Sequence, residues 1–244
     1  MIEWLSWRML SLVGASFAGA TLAAITGFGG AAVLLPVLVA VVGPRLAVPT
    51  LTVAQLIGNG SRVWLNRREV DLRLVGWFAV GGVPFAVLGS LLFAAAPLHA
   101  LTRLIGGFLL IIVARRRLGG PIRWRPTAPS FAGIGAIFSV LSALVGSVGP
   151  LMAPLFLAYG LVKGAYIGTE ALATVVMHVT KLITYHEAQV LPQAALEVGL
   201  SLAPAMIGGS WFGKRIVDRM PARAFEMVID ATMVVAGLLF LIHG

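Results

Sequence analysis

The sequence predicts an all-α integral membrane protein made of two inverted-topology repeats. Three observations carry that prediction: an apolar composition, apolar runs near the length of a bilayer crossing, and a pattern that recurs after about half the chain. Of 244 residues, 59% are hydrophobic and 11% charged, against roughly 45–50% and about 25% in ordinary globular proteins. So few polar groups cannot cover a water-facing surface, and lipid is the natural solvent. The net charge of +9 does not mark a nucleic-acid partner. The bases cluster in short loops between apolar runs, which is the pattern of a cytoplasmic membrane face. The chain has no cysteine, which excludes disulfides, thiolate metal sites and cysteine nucleophiles.

Apolar segments fall at 9–26, 30–43, 47–66, 73–95 and 98–114, then at 131–146, 150–161, 164–186, 194–213 and 222–242. Those near twenty residues are long enough to cross a hydrocarbon core of about 30 Å as helices. The pairs 9–26 with 30–43, and 131–146 with 150–161, are shorter, and each is split by glycine. The first break is Thr26-Gly27-Phe28-Gly29-Gly30 and the second Gly146-Ser147-Val148-Gly149-Pro150. Each half therefore holds one glycine-broken pair, re-entrant or short, plus about three transmembrane helices. Arg8 ahead of Met9 to Ile25 has the look of a signal peptide, but the same run has a counterpart in the second half and is read as a helix. The expected organisation is a first repeat over 1–114, a basic cytoplasmic linker over 115–129, and a second repeat over 130–244.

The halves align at a shift of 118 to 120 residues. Pro36 falls on Pro154, Arg62 on Lys181, Pro84 on Pro204, Gly89-Ser90 on Gly209-Ser210, and Arg103 on Arg223. Charge then sets the orientation. The loop with Arg67, Arg68 and Arg73, the linker with Arg115, Arg116, Arg117, Arg123 and Arg125, and the loop with Lys214, Arg215, Arg219 and Arg223 hold twelve of the 18 basic residues. All three belong on the cytoplasmic side. That assignment requires each broken pair to return to its starting side, and it starts the two halves from opposite sides. Inverted repeats with interrupted helices at matching places are a transporter architecture, and the interruptions point to the substrate.

The polar residues Gln55, Asn59, Arg62 and Asn66 stand at relative positions 0, 4, 7 and 11. At 100° per residue they lie within about 60° of one another, a single stripe on an apolar helix. Thr174, His178, Lys181 and Tyr185 repeat those spacings, and Glu170 extends the second stripe by one turn. A charge near mid-bilayer costs roughly 2.5–3.5 kcal/mol on insertion scales, so such groups face a protein interior or a cavity. Two inverted repeats each offering one cation describe an anion site. The competing reading has Arg62 and Lys181 reaching along their helices to the headgroups.

The segments after Gly30 and Pro150 begin as helix N-termini, whose free N–H groups and positive dipole end attract anions. Glycine also allows close approach to the backbone. The alternative is that these glycines serve helix packing alone, as Gly209 and Gly213 do in a G-x-x-x-G pair. The expected substrate site thus comprises Gly27, Phe28, Gly29, Gly30, Gln55, Asn59 and Arg62 from the first half. Gly146, Ser147, Gly149, Thr174, His178 and Lys181 come from the second. Glu170 and Asp230 are the acids within membrane runs, either carriers of a coupling proton or paired structural acids. His178 is a further proton shuttle or a hydrogen-bonded interior histidine. Enzyme readings find no support: His186-Glu187 lacks the second histidine of a zinc-protease motif, and no G-x-S-x-G or Walker sequence is present.

From about Gly14 to Leu241 the pattern resembles the sulfite exporter TauE/SafE family of membrane permeases. The resemblance rests on Gly27-Phe28-Gly29-Gly30 with Pro36, the Ala47 to Asn66 helix, Val70-Asp71, and the run from Gly82 to Gly89-Ser90. It continues in Lys163-Gly164-Ala165 through Gly168-Thr169 and in Gly208-Gly209-Ser210. The second break departs from the fuller glycine cluster common there. The resemblance implies export or import of sulfite, thiosulfate, sulfonates or related small anions. The reading is a secondary transporter that moves one repeat against the other, multi-pass in a cell membrane, a bacterial inner membrane by resemblance. A passive anion channel and a non-transporting membrane subunit are the alternatives. The expected partners are a small anion and the lipid bilayer, with a coupling proton and a homo-oligomer left open. No nucleic acid, cofactor or metal is expected.

Overall fold

The computed structural model describes residues 7–97, 125–146, 148–221, 223–225 and 227–228. Among them every regular element is an α-helix. The apolar run 98–114, most of the linker and most of the run 222–242 lie outside the described residues. So do Arg103, Ser147 and Asp230.

The first half contributes α1 (Trp7–Thr26), α2 (Gly30–Val42), α3 (Pro44–Asn66) and α4 (Leu72–Ala95). The second contributes α5 (Ser130–Val145), α6 (Gly149–Tyr159), α7 (Lys163–Glu187), α8 (Gln193–Ser201) and α9 (Ala203–Arg219). These bounds follow the sequence expectation within a few residues, with one difference. The run 194–213 is two helices divided at Leu202, because Pro204 occupies the first turn of α9 and removes an N–H that a continuous helix needs. Its counterpart Pro84 lies inside α4 without ending it.

Among the described residues two helices, α1 and α4, are long and apolar enough to cross a membrane; α3 and α7 are longer than α1 but carry the polar stripes. The returning helices α2 and α6, with 13 and 11 residues, rise only about 20 and 17 Å. The end of α2 meets the start of α1, since Arg8, Met9, Val41 and Val42 line one cavity. The end of α6 likewise meets the start of α5 through the Phe131–Tyr159 ring contact. Each broken pair is therefore a helical hairpin.

Packing sorts the helices into two bundles that cut across the halves. α1 packs closely on α9 and on α2, and α3 packs on α2, α8 and α9; α4 packs closely on α5 and on α7. The bundles meet chiefly where α3 crosses α7. Glycine makes the tight seams. A Cβ at Gly213 would lie 2.6 Å from the Thr21 carbonyl oxygen and 2.7 Å from Ala24 Cβ, and one at Gly89 would lie 2.8 Å from Val140 Cα. Contacts of this kind let helix backbones approach and replace the missing hydrophobic drive in lipid. In both seams the helices run parallel, residues 17 to 24 beside 208 to 213 and residues 78 to 89 beside 132 to 143. α3 and α7 run antiparallel, because Arg62 meets Glu170 while Val48 clusters with Tyr185.

Large apolar side chains remain on the outside of α4, among them Val80, Phe85, Leu88, Leu91 and Leu92. Such a face is stable only against lipid or protein. The helix directions bring Arg67, Arg68, Arg73, Arg125, Lys163, Arg215 and Arg219 to one end of the molecule. There Arg67 lies over the Trp64 ring at 4.4 Å and Arg215 over Trp211 at 3.8 Å, an arrangement suited to a membrane–water boundary.

The glycine seams can be tested by contrast within one helix. Gly208 has only the Phe17 ring near it, at 3.7 Å, whereas Gly213 faces backbone. Gly213→Ala is expected to lower the unfolding temperature in detergent, with an overpacking cost of about 1–3 kcal/mol. Gly208→Ala should leave it unchanged or raised, since alanine favours a helix by roughly 1 kcal/mol over glycine.

Candidate functional site

A helix that stops inside the membrane leaves its last carbonyls without partners, and no water is at hand to satisfy them. α1 stops at Thr26 and α5 at Val145, after which Gly27 and Gly146 take φ of +83° and +84°. Side chains answer part of this need. Tyr166 OH donates to the Thr26 carbonyl and Tyr185 OH to the Ala143 carbonyl. Arg62 reaches the Gly27 carbonyl, and the two buried cations add a second donor to the Ala23 and Ser142 carbonyls, which already accept the Gly27 and Gly146 N–H groups. Arg62 Nη1 donates to the Gly27 carbonyl at 2.7 Å and the Ala23 carbonyl at 3.2 Å. Lys181 Nζ donates to the Ser142 carbonyl at 3.0 Å and to Ser142 Oγ at 3.3 Å. Both bonds to the last helical turn, Arg62 to Ala23 and Lys181 to Ser142, span 39 residues of sequence. Each cation also meets the negative end of a helix dipole. Neither side chain reaches the headgroups: Arg62 is 4% exposed and Lys181 0%.

The two caps differ in what else they hold. Arg62 Nη1 lies 3.2 Å from Glu170 Oε2, an ion pair joining α3 to α7 with both side chains 4% exposed. Its Nη2 donates to Asn59 Oδ1, and Thr174 Oγ1 donates to Glu170 Oε1 at 3.1 Å. The first break is fixed further by Thr26 Oγ1 donating to the Phe28 carbonyl at 2.7 Å and by Tyr166 OH donating to the Thr26 carbonyl at 3.0 Å. Tyr166 fills the space where a side chain on Gly27 would go. The breaks touch each other, for a Cβ on Gly149 would lie 2.7 Å from Phe28 Cβ.

Between them lies a cavity of about 40 Å³, room for no more than a few waters. Gly27, Phe28, Gly29 and Gly30 wall it from the first break, and Gln55, Asn59 and Arg62 from α3. Gly146 and Gly149 wall it from the second break, and Glu170, Thr174 and His178 from α7. The N-termini of α2 and α6 open at its wall. Two buried polar atoms at the wall, Gln55 Nε2 and His178 Nδ1, have no hydrogen-bond partner in the protein. Buried polar atoms are rarely left so.

The structure thus brings most of the sequence-predicted residues to one chamber. Lys181 is the exception: it turns to α5 and is not part of the wall. Ser147 and Asp230 lie outside the described residues. Ser142, Met152 and Met177, which the sequence reading did not single out, also line the chamber. Their apolar or weakly polar character gives no stripe to find them by. The Arg62–Glu170 pair was also missed, because stripe geometry assigns each residue a helix face but not its partner on another helix. Among the described residues no group of acids and histidines is arranged to hold a metal ion.

A charge-bearing chamber between apolar helical bundles, walled by two helix breaks, is the interior of a membrane transporter. The chain belongs to the sulfite exporter TauE/SafE family, whose model, described as Sulfite exporter TauE/SafE, matches residues 12–240. No curated protein and no solved structure matches the chain. Family membership makes it a multi-pass membrane transporter and not an enzyme.

Two glycines that share a positive φ but differ in their surroundings test how far the break depends on its packing. Gly43 has φ of +81° with nothing within 4 Å, while Gly27 at +83° faces the Tyr166 ring. Gly43→Ala is expected to cost about 1–3 kcal/mol from its backbone alone, since φ of 81° with ψ of 160° is a region essentially restricted to glycine. Gly27→Ala should cost clearly more, read as a larger fall in thermal stability of the purified protein.

Proposed function

We propose that this chain is a secondary transporter of a small sulfur-containing oxyanion or organosulfonate such as sulfite, working by alternating access. The single observation that carries the reading is the chamber itself. One buried guanidinium, the amide ends of α2 and α6, and the unpartnered Gln55 Nε2 and His178 Nδ1 converge on it. Donors of this kind suit a compact oxyanion, whose several oxygens each accept hydrogen bonds. Gly27, Phe28, Gly29, Gly30, Gln55, Asn59, Arg62, Gly146, Gly149, Thr174 and His178 form the binding wall in this proposal. Lys181 acts at one remove, by holding the end of α5.

The inverted-repeat reading rests on exchangeable contacts. Gly89 meets Val140 while Gly209 meets Ala20, and these four positions swap at a shift of 120. The equal 39-residue span of the Arg62 and Lys181 caps points the same way, as does the antiparallel crossing of α3 and α7. The basic end fits the cytoplasmic face, and a bacterial inner membrane is the proposed location.

Reconstituted in liposomes, the wild type is expected to carry sulfite or a sulfonate saturably. Arg62→Ala and Gln55→Leu should each reduce substrate affinity by about 10–100-fold, because hydrogen bonds to a charged group contribute roughly 1.5–3 kcal/mol. Lys181→Met should lower the folded fraction and leave the KM of the folded protein near the wild-type value. Unchanged flux in both Arg62→Ala and Gln55→Leu would sink this site.

A further inference from the structure

The chamber holds one cation at its wall and one acid, and the two are already paired. An anion arriving beside an Arg62–Glu170 pair would add an uncompensated negative charge to a buried space, which is strongly unfavourable. The empty site is neutral, and a loaded site is neutral only if the carboxylate loses its charge as the anion arrives. Glu170 is placed for that exchange. Its Oε2 faces Arg62 and its Oε1 accepts from Thr174 Oγ1. A hydroxyl both donates and accepts, so Thr174 keeps a bond to the carboxyl in either protonation state. Arg62 meanwhile stays in position through the Ala23 and Gly27 carbonyls and Asn59. Its guanidinium has donors to offer a new partner without moving.

Resting on the transport reading above, we propose that Glu170 is a built-in competitor of the substrate. Its carboxylate occupies Arg62 in the empty carrier, and the incoming anion displaces it. The freed carboxylate then takes up one proton from water, so that one proton moves with each monovalent anion. The balance is simple: an ion pair is exchanged for another ion pair plus a neutral carboxylic acid, and no other bond changes. The device sits in one half only. The position matching Glu170 in the first half is Leu51, and Lys181 is held by Ser142 instead.

The groups around the carboxylate are few. Arg62 and Asn59 face it from α3. Tyr166, Thr174, His178 and Lys181 share α7 with it, and Asp71 at the head of α4 binds Thr169 through its backbone N–H at 2.9 Å. The first break brings no titratable side chain. His178 is therefore the rival proton acceptor within the chamber, and the test separates the two.

Methanesulfonate is a suitable probe because it carries no titrating proton of its own near neutral pH. Wild type and the Glu170→Gln and His178→Gln variants are reconstituted in liposomes with an internal pH dye. Binding, anion–anion exchange and anion-driven proton entry are measured from pH 5.5 to 8.5, with sulfite, sulfate, thiosulfate and taurine as further probes. The sign follows from linkage: binding that takes up a proton strengthens as pH falls, by up to about tenfold per pH unit in wild type. Glu170→Gln carries a neutral side chain at every pH. It should bind the anion more tightly at pH 8, lose the pH dependence and the proton entry, and retain exchange. His178→Gln should keep one proton per anion.

A Glu170→Gln protein weakened by its unpaired arginine still reports, because the anion should raise its unfolding temperature more than it raises that of wild type. A merely structural ion pair predicts a destabilised variant with wild-type pH dependence, and that result overturns the proposal. Exchange in wild type without proton entry overturns it as well and leaves the transport reading standing. If none of the five compounds binds or exchanges, both fall together.

Discussion

Two helices end in the middle of an apolar environment, and their terminal carbonyls must find donors there. Much of the structure answers to that constraint. An interrupted helix is useful because it exposes amide ends and gives a ligand access to backbone, yet the same interruption strands carbonyl groups at a cost of several kcal/mol each in hydrocarbon. Arg62 at the Gly27 carbonyl, Tyr166 at Thr26 and Tyr185 at Ala143 ease the conflict. Arg62 and Lys181 also set a positive charge on the last helical turns of α1 and α5 by sharing the Ala23 and Ser142 carbonyls with backbone donors. This explains why a cation sits at the third position of both polar stripes. It also explains why each cation is buried at the level of a helix break and not at a membrane face. Once the cations are fixed there, the first keeps donors at the wall of the chamber that the proposed function assigns to the substrate.

The caps also explain the inequality of the halves. Arginine has five donors and serves two carbonyls, Asn59 and Glu170 together. Lysine has three, and in this chain two hydrogen bonds to Ser142 draw it to α5. A symmetric pair of cations at one anion, the simplest expectation from matched stripes, therefore gives way to one cation with an acid and one without.

Helix limits were legible in the sequence because glycine and proline punctuate it sharply. The expected 30–43 is Gly30–Val42, and the expected 73–95 is Leu72–Ala95. The polar stripes were legible because 3.6-residue periodicity is a property of one helix. Partnership was not, since it depends on how helices cross: Glu170 faces Arg62 only because α7 runs antiparallel to α3. The division at Leu202 was hidden by its own counterpart, for Pro84 is tolerated within α4 while Pro204 starts a new helix. Proline states that an N–H is missing, and the surroundings decide whether the helix survives. The seam at Gly209 and Gly213 was legible from spacing, although its partner α1 was not.

The exchange of α4 and α9 between bundles has a mechanical consequence. Both glycine seams join a helix of one half to a helix of the other, so the alternating-access proposal must keep α1 with α9 and α4 with α5 as the halves move. Packing among the described residues groups α1–α2–α3–α8–α9 and α4–α5–α6–α7. The two groups meet where α3 crosses α7, an interface held by the Arg62–Glu170 pair and by the close approach of Gly168 to Asn66. Two described straps tie these bodies together at opposite faces of the molecule. One is the turn 67–71, fastened by Asp71 to Thr169; the other is the stretch 188–192, with Gln189 at φ of +57°. Under the alternating-access proposal, bodies tethered at both faces would seesaw and not separate, each strap serving in turn as the pivot while the opposite mouth gapes.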